Sequence, residues 1–346
     1  MRVLCIGDQF ISAQSFATAA QEAFGPETET VEYSTRWPDE AFGAQEGVKE
    51  SSGSIPEITD LMPGTDVVLT HLGPITATVL ANADQLKVIG VTRGGPVNVD
   101  LAAATAHHVP VVYLPGRNLG AVAEFVIGVM IAAPRGIVRA SAELADGRWS
   151  PRAFHFETAG PELRACTIGL IGIGAVGHRV AEILRAFGAT VVAYDPHVEA
   201  ADGIDLLDSL AEVLAVSDIV SVHSRLTDET RKSFDAKAFA AMKHGAYFVN
   251  TARGEIVDET ALEAALESGQ LSGAALDVFD PEPPREGNTL VRRPDVIVTP
   301  HLAGASQQVA SESVAKVVAE VGDFLRSGQI THCANPDARN SRSESA

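Results

Sequence analysis

The chain has 346 residues, of which 46% are hydrophobic and 5% are aromatic, a composition typical of one or two globular domains. Its formal net charge of −19 disfavours nucleic acids and anionic membranes as partners, because binding phosphates requires clustered Lys and Arg. Cys5, Cys166 and Cys333 show no ligand spacing, which predicts reduced thiols. The chain opens on a predicted strand, and its longest apolar run is shorter than the roughly 20 residues of a membrane span. We therefore expect a cytoplasmic protein with no membrane partner.

The first third of the chain alternates short β-branched runs with helical stretches. The predicted strands are 2–6, 28–33, 66–71, 87–92 and 110–114. This alternation predicts βαβ units and a parallel sheet. The polar, glycine-rich segment 34–54 has no clear period, and we expect it to be a surface excursion.

A long apolar helix is predicted next, from about Asn118, its candidate N-cap, to residue 138. Because it is apolar almost all round, it should be buried, either against the other domain or against a second subunit.

A second alternating set runs from residue 167 to residue 301. After its first apolar strand, strands are predicted at 190–195, 218–224, 246–252, 273–279 and 295–301. Their carboxyl ends carry Asp195, His223, Arg253, Asp277 and His301 in turn. Ligands of an open parallel sheet bind outside the carboxyl ends of its strands, so these side chains should converge.

A last helix is predicted at about 306–326, and we infer that it packs back on the first domain. The second domain would then be an insertion within the first. The predicted organisation is a substrate domain made of 1–117 and 302–334, a nucleotide-binding domain at 118–301, and a flexible tail at 335–346, where no apolar period remains.

The segment Gly172-Ile-Gly-Ala-Val-Gly177 follows an apolar strand and opens a predicted helix. In such a turn the first glycine permits the tight bend, Gly174 lets the backbone approach a pyrophosphate, and Gly177 lets helix and strand pack closely. The helix N-terminus offers free N–H groups to the phosphates. Asp195 ends the next strand, where an acid binds the adenosine ribose diol and repels a 2′-phosphate. These features predict an NAD site and favour NAD over NADP.

Three further residues suggest the chemistry of alcohol oxidation. His301 suits the task of a base for the hydroxyl proton, because the unperturbed pKa of histidine is about 6.5. A carboxylate such as Glu282 would fix the tautomer of a histidine and raise its pKa. Arg253 offers the paired N–H donors that bind a substrate carboxylate bidentately.

The order of the glycine turn, Asn250-Thr-Ala-Arg-Gly254, Asp277-Val-Phe-x-x-Glu-Pro283 and Pro300-His301 resembles the D-isomer-specific 2-hydroxyacid dehydrogenase family. The resemblance extends over about residues 66–322. It implies an α/β protein with two doubly wound parallel-sheet domains: a flavodoxin-like substrate domain split in sequence and an inserted Rossmann NAD-binding domain. It also implies a homodimer formed through the helix after Asn118.

The resemblance implies specific roles for the catalytic residues. Arg253 would bind the substrate carboxylate and orient the carbonyl, while His301 would be the acid/base and Glu282 its partner. The predicted cofactor residues are Gly172, Gly174, Ala175, Val176, Gly177, Asp195, His223, Thr251, Ala252, Arg253, Asp277, His301, Ala303 and Gly304. The N–H groups of Ala175 and Val176 would bind the pyrophosphate. Thr251 and Ala252 would line the nicotinamide side, and Asp277 would hold the carboxamide.

The first domain contains the loop Arg93-Gly94-Gly95-Pro-Val97, where family members place a glycine loop whose N–H groups bind the substrate carboxylate. The predicted substrate residues are Arg93, Gly94, Gly95, Arg253 and His301. Arg93 or Arg117 is a candidate cation for a second anionic group of the substrate. The stretch from His71 to Thr76 departs from the basic, hydroxyl-bearing stretch of many phosphoglycerate dehydrogenases, which puts phosphoglycerate in doubt.

The sequence thus predicts an NAD-dependent oxidoreductase that interconverts a D-2-hydroxy acid and its 2-oxo acid. Three alternatives stay open: a non-catalytic NAD(H)-sensing scaffold similar to corepressor relatives, D-3-phosphoglycerate dehydrogenase as the specific activity, and a hydride-donor enzyme of the phosphite or formate type. The remaining histidines match no ligand pattern, so no metal is predicted.

Overall fold

The computed structural model describes residues 1–37 and 42–338. It divides into two compact units, the first formed by Met1–Asn118 with Ser306–Ala346 and the second by Leu119–Ala305. The predicted boundary after residue 301 falls four residues before this division. The reason is that the backbone N–H groups of Leu302 and Ala303 donate to Asp277, which ties this loop to the second unit.

The first unit is built on a parallel sheet. Its strands are β1 (Arg2–Gly7), β2 (Glu29–Ser34), β3 (Gly43–Gln45), β4 (Val48–Ser51), β5 (Val67–Thr70), β6 (Val88–Val91) and β7 (Val111–Val112). Its helices before the insertion are α1 (Ala13–Phe24), α2 (Ile55–Leu61), α3 (Ala77–Leu80) and α4 (Leu101–Ala106). Within the described residues the sheet has the order β2-β1-β5-β6-β7, which is the flavodoxin-like order once the β3–β4 hairpin is set aside. The central strands β5 and β6 are buried throughout, as expected when both faces of a sheet are covered.

The hairpin β3–β4 adds regular structure to the predicted surface excursion between residues 34 and 54. Val48 and Ser51 are buried, and the N–H of Lys49 donates to the carbonyl of Val97. The sequence did not predict this hairpin, because only the two ends of β4 are buried and its strands are short and polar. Part of the predicted excursion, 38–41, lies outside the described residues.

The second unit has a longer parallel sheet. Its helices and strands begin with α5 (Leu119–Ala132), α6 (Ile137–Ala145), β8 (Thr167–Ile171), α7 (Ala175–Ala186), β9 (Thr190–Tyr194), β10 (Asp205–Leu206) and α8 (Leu210–Val216). They continue with β11 (Ile219–Val222), α9 (Ala236–Ala241), β12 (Ala246–Asn250), α10 (Glu259–Glu267), β13 (Leu271–Leu276) and β14 (Val296–Val298). In the described part of the chain the strand order is β10-β9-β8-β11-β12-β13-β14. This is the Rossmann order 3-2-1-4-5-6 with one more strand. All these strands are parallel, and successive strands are added on opposite sides of the sheet before and after the point between β8 and β11.

The predicted long helix from Asn118 to residue 138 is wrong in one respect, because the chain bends by 67° between α5 and α6. Pro134 lacks an N–H group and Gly136 has a φ of 59°, so the helix cannot continue through this segment. Only α5 contributes to the core, and none of the described residues of α6 is buried. No described helix alone is long and apolar enough to cross a membrane, whereas α5 and α6 taken as a bent pair satisfy length and composition.

After the second unit the chain returns to the first as α11 (Gln307–Ser327), which packs on α1 and β6 as the sequence led us to infer. The predicted flexible tail is wrong for its first residues. The side chain of Asn335 accepts from the N–H of Val111 and donates to the carbonyl of Val109, and Ala338 is buried. The rest of that prediction, 339–346, lies outside the described residues.

Candidate active site

The carboxyl edge of the sheet in the second unit carries the residues that the sequence singled out. Asp195, His223, Arg253, Asp277 and His301 follow β9, β11, β12, β13 and β14 within a few residues of each strand. Neighbouring parallel strands end at the same edge, so the fold gathers in one place side chains that lie up to 106 positions apart in the chain.

His301 and Glu282 form the hydrogen-bonded pair that the sequence predicted. The Nδ1 atom of His301 lies 2.8 Å from Oε2 of Glu282, while Oε1 of Glu282 accepts from the N–H of Phe279 at 3.1 Å. A carboxylate can only accept, so Nδ1 carries the proton and Nε2 is the nitrogen left for a substrate. Glu282 is itself held by the backbone, which fixes the direction of the ring.

The charges around this pair favour a protonated histidine. The hydrogen bond to Glu282, reinforced by its charge, raises the pKa of His301 above its usual value, although burial and Arg253 act the other way. Burial would raise the pKa of Glu282, but the contacts with His301, Phe279 and Arg253 outweigh it and lower that pKa. At neutral pH Glu282 is therefore ionised, and the imidazole is a stronger base than a free histidine.

Asp277 holds the loop that presents His301. Its carboxylate is buried and accepts from the Thr299 hydroxyl at 2.6 Å and from the N–H groups of Leu302 and Ala303 at 2.9 and 2.8 Å. His301 itself has a φ of 52°, a left-handed backbone conformation that residues other than glycine rarely adopt. The bonds to Asp277 on both sides of His301 hold this strained backbone in place. The predicted contact of Asp277 with a carboxamide stays a prediction, and about one of its roughly four acceptor positions is left for it.

Arg253 lies in a turn that Asn250 shapes. The Asn250 side chain accepts from the N–H of Ala252 at 3.0 Å and donates to the carbonyl of Arg253 at 2.9 Å. A Cβ at the next residue, Gly254, would lie 2.1 Å from the carbonyl of Phe279, so only glycine lets this turn approach the segment that leads to Glu282. Arg253 is exposed, and its charge acts on both His301 and Glu282.

The three glycines of the turn after β8 differ in the space around them. Gly172 has a φ of 96°, and a Cβ there would lie 2.7 Å from the N atom of Ser224. A Cβ on Gly177 would lie 2.3 Å from the carbonyl oxygen of Gly172, whereas nothing lies within 4 Å of one on Gly174. The first and third glycines thus permit close packing, and the second leaves open space for a ligand.

The start of α7 fits a pyrophosphate. The N–H groups of Ala175 and Val176 lie in the first turn of this helix and therefore have no intrahelical acceptor. Among the described residues no side chain caps the helix either, which leaves these donors for a ligand. The Asp195 carboxylate accepts from the N–H of Ile173 at 2.8 Å and from that of His197 at 2.9 Å. Each carboxylate oxygen keeps a further acceptor position, which suits a ribose diol.

Two buried polar atoms on the same edge have no hydrogen-bond partner in the described structure. They are Nε2 of His223 and the hydroxyl oxygen of Thr251. Burial lowers the pKa of His223 to about 4, so its ring is neutral. Buried polar groups are normally satisfied, and unpartnered ones at this edge fit a bound cofactor. Ala252 and Ala303 have their N–H groups engaged with Asn250 and Asp277, so they can contact a cofactor only through other atoms.

The predicted substrate loop lies in the first unit, after β6. Arg93 forms an ion pair with Glu50 of the hairpin. The N–H groups of Gly94 and Gly95 donate to no acceptor in the part of the chain that the structure describes. No group of three or more His, Cys, Asp or Glu is arranged to hold a metal in either described range.

Sequence reasoning missed the residues that hold the site in shape. Asn250 and Thr299 are neutral residues near strand ends, and the sequence analysis assigned no structural role to either of them. The signal was available, because Asn and Thr next to a turn commonly bond the backbone. The contact of Gly254 with Phe279 had no sequence signal, since it joins two separate loops.

Comparison with known proteins places these motifs in a family. Residues 127–303 match the model of the D-isomer specific 2-hydroxyacid dehydrogenase, NAD binding domain. YoaD of Bacillus subtilis, whose name assigns it provisionally to the 2-hydroxyacid dehydrogenases, is 41% identical over 75% of this chain and 76% of its own length. D-3-phosphoglycerate dehydrogenase of Methanocaldococcus jannaschii is 38% identical over 76% of this chain but only 50% of its own length.

A solved structure has the same fold over nearly the whole chain. The D-lactate dehydrogenase of Lactobacillus jensenii with NAD⁺ aligns with a TM-score of 0.75 and 26% identity, covering 96% of this chain and 99% of its own. The glycine turn, Asp195 and the unpartnered atoms at the sheet edge fit the NAD that this relative contains. The chain belongs to the D-isomer specific 2-hydroxyacid dehydrogenase family and has its NAD-binding domain.

Proposed function

We propose that this protein is an NAD-dependent oxidoreductase that interconverts a D-2-hydroxy acid and its 2-oxo acid. The observation that carries the proposal is the pair formed by His301 and Glu282, 2.8 Å apart, on the sheet edge that also bears the glycine turn. The family membership supports the same reaction class. NAD supplies the acceptor of the hydride, or as NADH its donor.

His301 is proposed as the acid/base, acting through Nε2. In oxidation the neutral ring accepts the hydroxyl proton, and in reduction the protonated ring donates that proton to the carbonyl oxygen. Glu282 stabilises the imidazolium without leaving its contact with Nδ1. Proton transfer can therefore occur at one nitrogen while the other keeps the ring in position.

Arg253 is proposed to bind the substrate carboxylate. The carbonyl of Ala252 accepts from one guanidinium nitrogen of Arg253 at 2.6 Å, and the other donors remain available. Because Arg253 stays charged, it can orient a 2-oxo acid through its carboxylate. The same charge stabilises the negative charge that develops on the carbonyl oxygen. Asp195 is proposed to favour NAD over NADP, since its carboxylate repels a 2′-phosphate.

A substrate panel tests the reaction class. The purified protein is mixed with NADH or NADPH and a series of 2-oxo acids, and the loss of absorbance at the nicotinamide band is followed. We expect reduction of at least one 2-oxo acid, with NADH preferred. NADH binding with no turnover of any 2-oxo acid would favour the alternative of an NAD(H)-sensing scaffold. Oxidation of formate or phosphite alone would favour the alternative of a hydride-donor enzyme of the phosphite or formate type.

We also propose a homodimer formed through the region that follows Asn118. The observation that favours it is a run of exposed apolar side chains after α5, among which Trp149, Phe154 and Phe156 are 77%, 88% and 95% exposed. A monomer rarely exposes such a patch. Light scattering after gel filtration should give twice the chain mass for the wild type and a shift towards monomer for Phe154→Ser with Phe156→Ser. A wild-type monomer at micromolar concentration would contradict the proposal. A cytoplasmic location stays a prediction from the sequence.

A further inference from the structure

The loop that follows β14 carries His301 in a backbone conformation that needs support. The φ of 52° lies in the left-handed region, where residues other than glycine persist only if the surrounding structure holds them. The imidazole on this strained backbone reaches Glu282, with 2.8 Å between Nδ1 and Oε2. Whatever holds the loop therefore also maintains the pair formed by His301 and Glu282.

One buried side chain holds the loop on both sides of His301. Asp277 is 1% exposed, and its Oδ1 atom accepts from the hydroxyl of Thr299 at 2.6 Å and from the N–H of Leu302 at 2.9 Å. Its Oδ2 atom accepts from the N–H of Ala303 at 2.8 Å, and its backbone carbonyl accepts from the N–H of His301 at 2.8 Å. Three of these four donors are backbone groups. The hydroxyl of Thr299 is the fourth, and it is the one that a substitution can remove.

The bond from Thr299 is of a strong kind. A carboxylate can only accept, so the hydroxyl donates its hydrogen to Asp277. Its length of 2.6 Å falls within the range of about 2.5–2.7 Å for charge-assisted O–H···O⁻ bonds, which are roughly twice as strong as neutral ones. Without the hydroxyl, Oδ1 would keep only the bond from Leu302, and the carboxylate would be held less firmly against the loop.

Two threonines on this edge of the sheet differ in what their hydroxyls do. Thr251 follows β12, and its buried hydroxyl has no partner in the part of the chain that the structure describes. Thr299 follows β14, and its hydroxyl is engaged with Asp277. The first hydroxyl is available to a bound cofactor, whereas the second acts on the loop that carries His301.

A histidine in the first unit shows the importance of how the ring is presented. Nδ1 of His71 lies 2.7 Å from Oδ2 of Asp8, and Nε2 lies 3.2 Å from a terminal nitrogen of Arg117, whose other terminal nitrogen is buried with no acceptor among the described residues. Arginine can only donate, so Nε2 accepts and the ring is neutral. Burial, together with the charges of Arg117 and Arg93, outweighs Asp8 and lowers the pKa of His71. Both nitrogens of this ring are engaged, whereas His301 bonds only through Nδ1 within the described residues.

We propose that Thr299 is a positioning residue for proton transfer: by donating to Asp277 it holds the loop that presents His301, and so keeps Nδ1 on Glu282 and Nε2 directed at the substrate. The proposal rests on the proposed function, because His301 is the acid/base of that reaction. In this account Thr299 contacts neither the substrate nor the cofactor. All the bonds through which it acts lie within the second unit.

The test removes the hydroxyl and keeps the shape of the side chain. Thr299→Val has nearly the same volume but no donor, whereas Thr299→Ser keeps the donor. With NADH and the 2-oxo acid that the wild type reduces best, kcat of Thr299→Val should fall roughly 10- to 150-fold, the equivalent of one charge-assisted hydrogen bond. KM and the dissociation constant for NADH should change little, because binding groups stay in place. Thr299→Ser should recover most of the lost kcat.

An NMR titration of His301 gives a second readout that needs no turnover. If the loop loosens in Thr299→Val, the bond to Glu282 weakens and the pKa of His301 falls towards the usual value of about 6.5. Thr299→Ser should keep the raised pKa. Thr190→Val changes an exposed threonine at the start of β9 and should leave both kcat and this pKa unchanged. The unfolding midpoint shows whether each variant folds, and Thr299→Ala takes the place of Thr299→Val if valine prevents folding.

Three outcomes would overturn the proposal. They are wild-type kcat and His301 pKa in Thr299→Val, a loss in Thr299→Ser as large as that in Thr299→Val, and a rise in KM at unchanged kcat. If the wild type reduces no 2-oxo acid, the proposed function fails and the titration alone decides the role of Thr299. A His301 pKa that Thr299→Val leaves unchanged then contradicts the positioning role, and a lowered pKa supports it.

Discussion

Each of the two parallel sheets bears at its carboxyl edge a histidine whose Nδ1 donates to a carboxylate. The pKa values of these two histidines are shifted in opposite directions. His301 lies 2.8 Å from Glu282, and His71 lies 2.7 Å from Asp8. The side chains of the first pair are 48% and 36% exposed, and those of the second are 6% and 1% exposed. The pKa of His301 is raised by Glu282, whereas that of His71 is lowered by burial.

The difference shows that a carboxylate partner alone does not make a histidine basic. Where water still reaches the pair, the attraction of the carboxylate dominates, and the ring can exchange a proton near neutral pH. Where both groups are buried next to arginines, desolvation and the positive charges dominate, and the ring stays neutral. The first arrangement suits acid/base catalysis, and the second suits the orientation of Arg117.

The largest expected effect is the loss of proton transfer in His301→Ala. We expect kcat to fall roughly 10²- to 10⁴-fold, the usual contribution of a general acid or base. The dissociation constant for NADH, measured by fluorescence, should change little. His107→Ala, at an exposed helix end, serves as the control and should keep wild-type kinetics. A His301→Ala variant with nearly full kcat would remove this residue from the chemistry.

Arg253→Lys should give the next largest effect. The lysine keeps the charge but loses the paired donors, so KM for the 2-oxo acid should rise and kcat should fall. Together these changes predict a drop in kcat/KM of roughly 10- to 10⁴-fold, the equivalent of one or two charged hydrogen bonds. Arg231→Lys, on an exposed turn of the same unit, is the matched control. If NADH affinity falls while substrate kinetics stay unchanged, Arg253 belongs to the cofactor site instead.

Glu282→Gln should change the pH dependence of the reaction. Reduction requires protonated His301, so its rate falls as the pH rises through the pKa of that ring. Without the carboxylate this pKa drops, and the fall in kcat/KM for reduction should move to lower pH. Glu286→Gln, an exposed residue nearby in the chain, should leave the profile in place. Superimposable profiles for Glu282→Gln and the wild type would show that the pair has no functional role.

The smallest expected effect is a difference in acid stability that arises from His71. The folded-state pKa of this ring lies below its unfolded value, so the unfolded chain binds more protons as the pH falls below about 6.5. Wild-type stability should therefore decrease on acidification in this range. His301 works in the opposite direction, because its raised pKa contributes stability at low pH that is lost as the pH rises through the folded pKa.

Denaturant unfolding of the wild type and His71→Asn between pH 7.5 and 5.5 isolates the contribution of His71. The variant lacks the titrating ring, so its stability should decrease less on acidification than that of the wild type. Parallel pH dependence in the two proteins would mean that His71 is not held neutral by the fold.

Local patterns sufficed to predict the second unit well. The glycine turn, Asp195 and the three catalytic candidates are marked by short motifs, and the strands before them are apolar runs with few alternatives. The break between α5 and α6 was missed although Pro134 and Gly136 signal it, because apolar residues resume at Ile137 and Val138. The hairpin β3–β4 was missed because its contacts are with loops distant in the chain, such as the bond from the N–H of Lys49 to the carbonyl of Val97.

The chemistry of the first unit could not be predicted to the same depth. Asp8, His71 and Arg117 come from distant parts of the chain, and only the strand order brings them together. The direction in which each histidine's pKa is shifted depends on how exposed the ring is to water, and no motif encodes that exposure. Arg117 was a candidate cation in the sequence, but its unpartnered donor and its link to His71 are properties of the fold.

The most direct test is a pH titration of the histidine rings by NMR, with the signals assigned through His301→Ala and His71→Asn. The chain has ten histidines, so these two variants suffice to identify the pair of interest. We predict that His301 titrates above the usual value of about 6.5 and that His71 titrates below it. The reverse order, or two rings that both titrate near 6.5, would contradict the claim that burial divides these matched pairs into a proton donor and a fixed neutral acceptor.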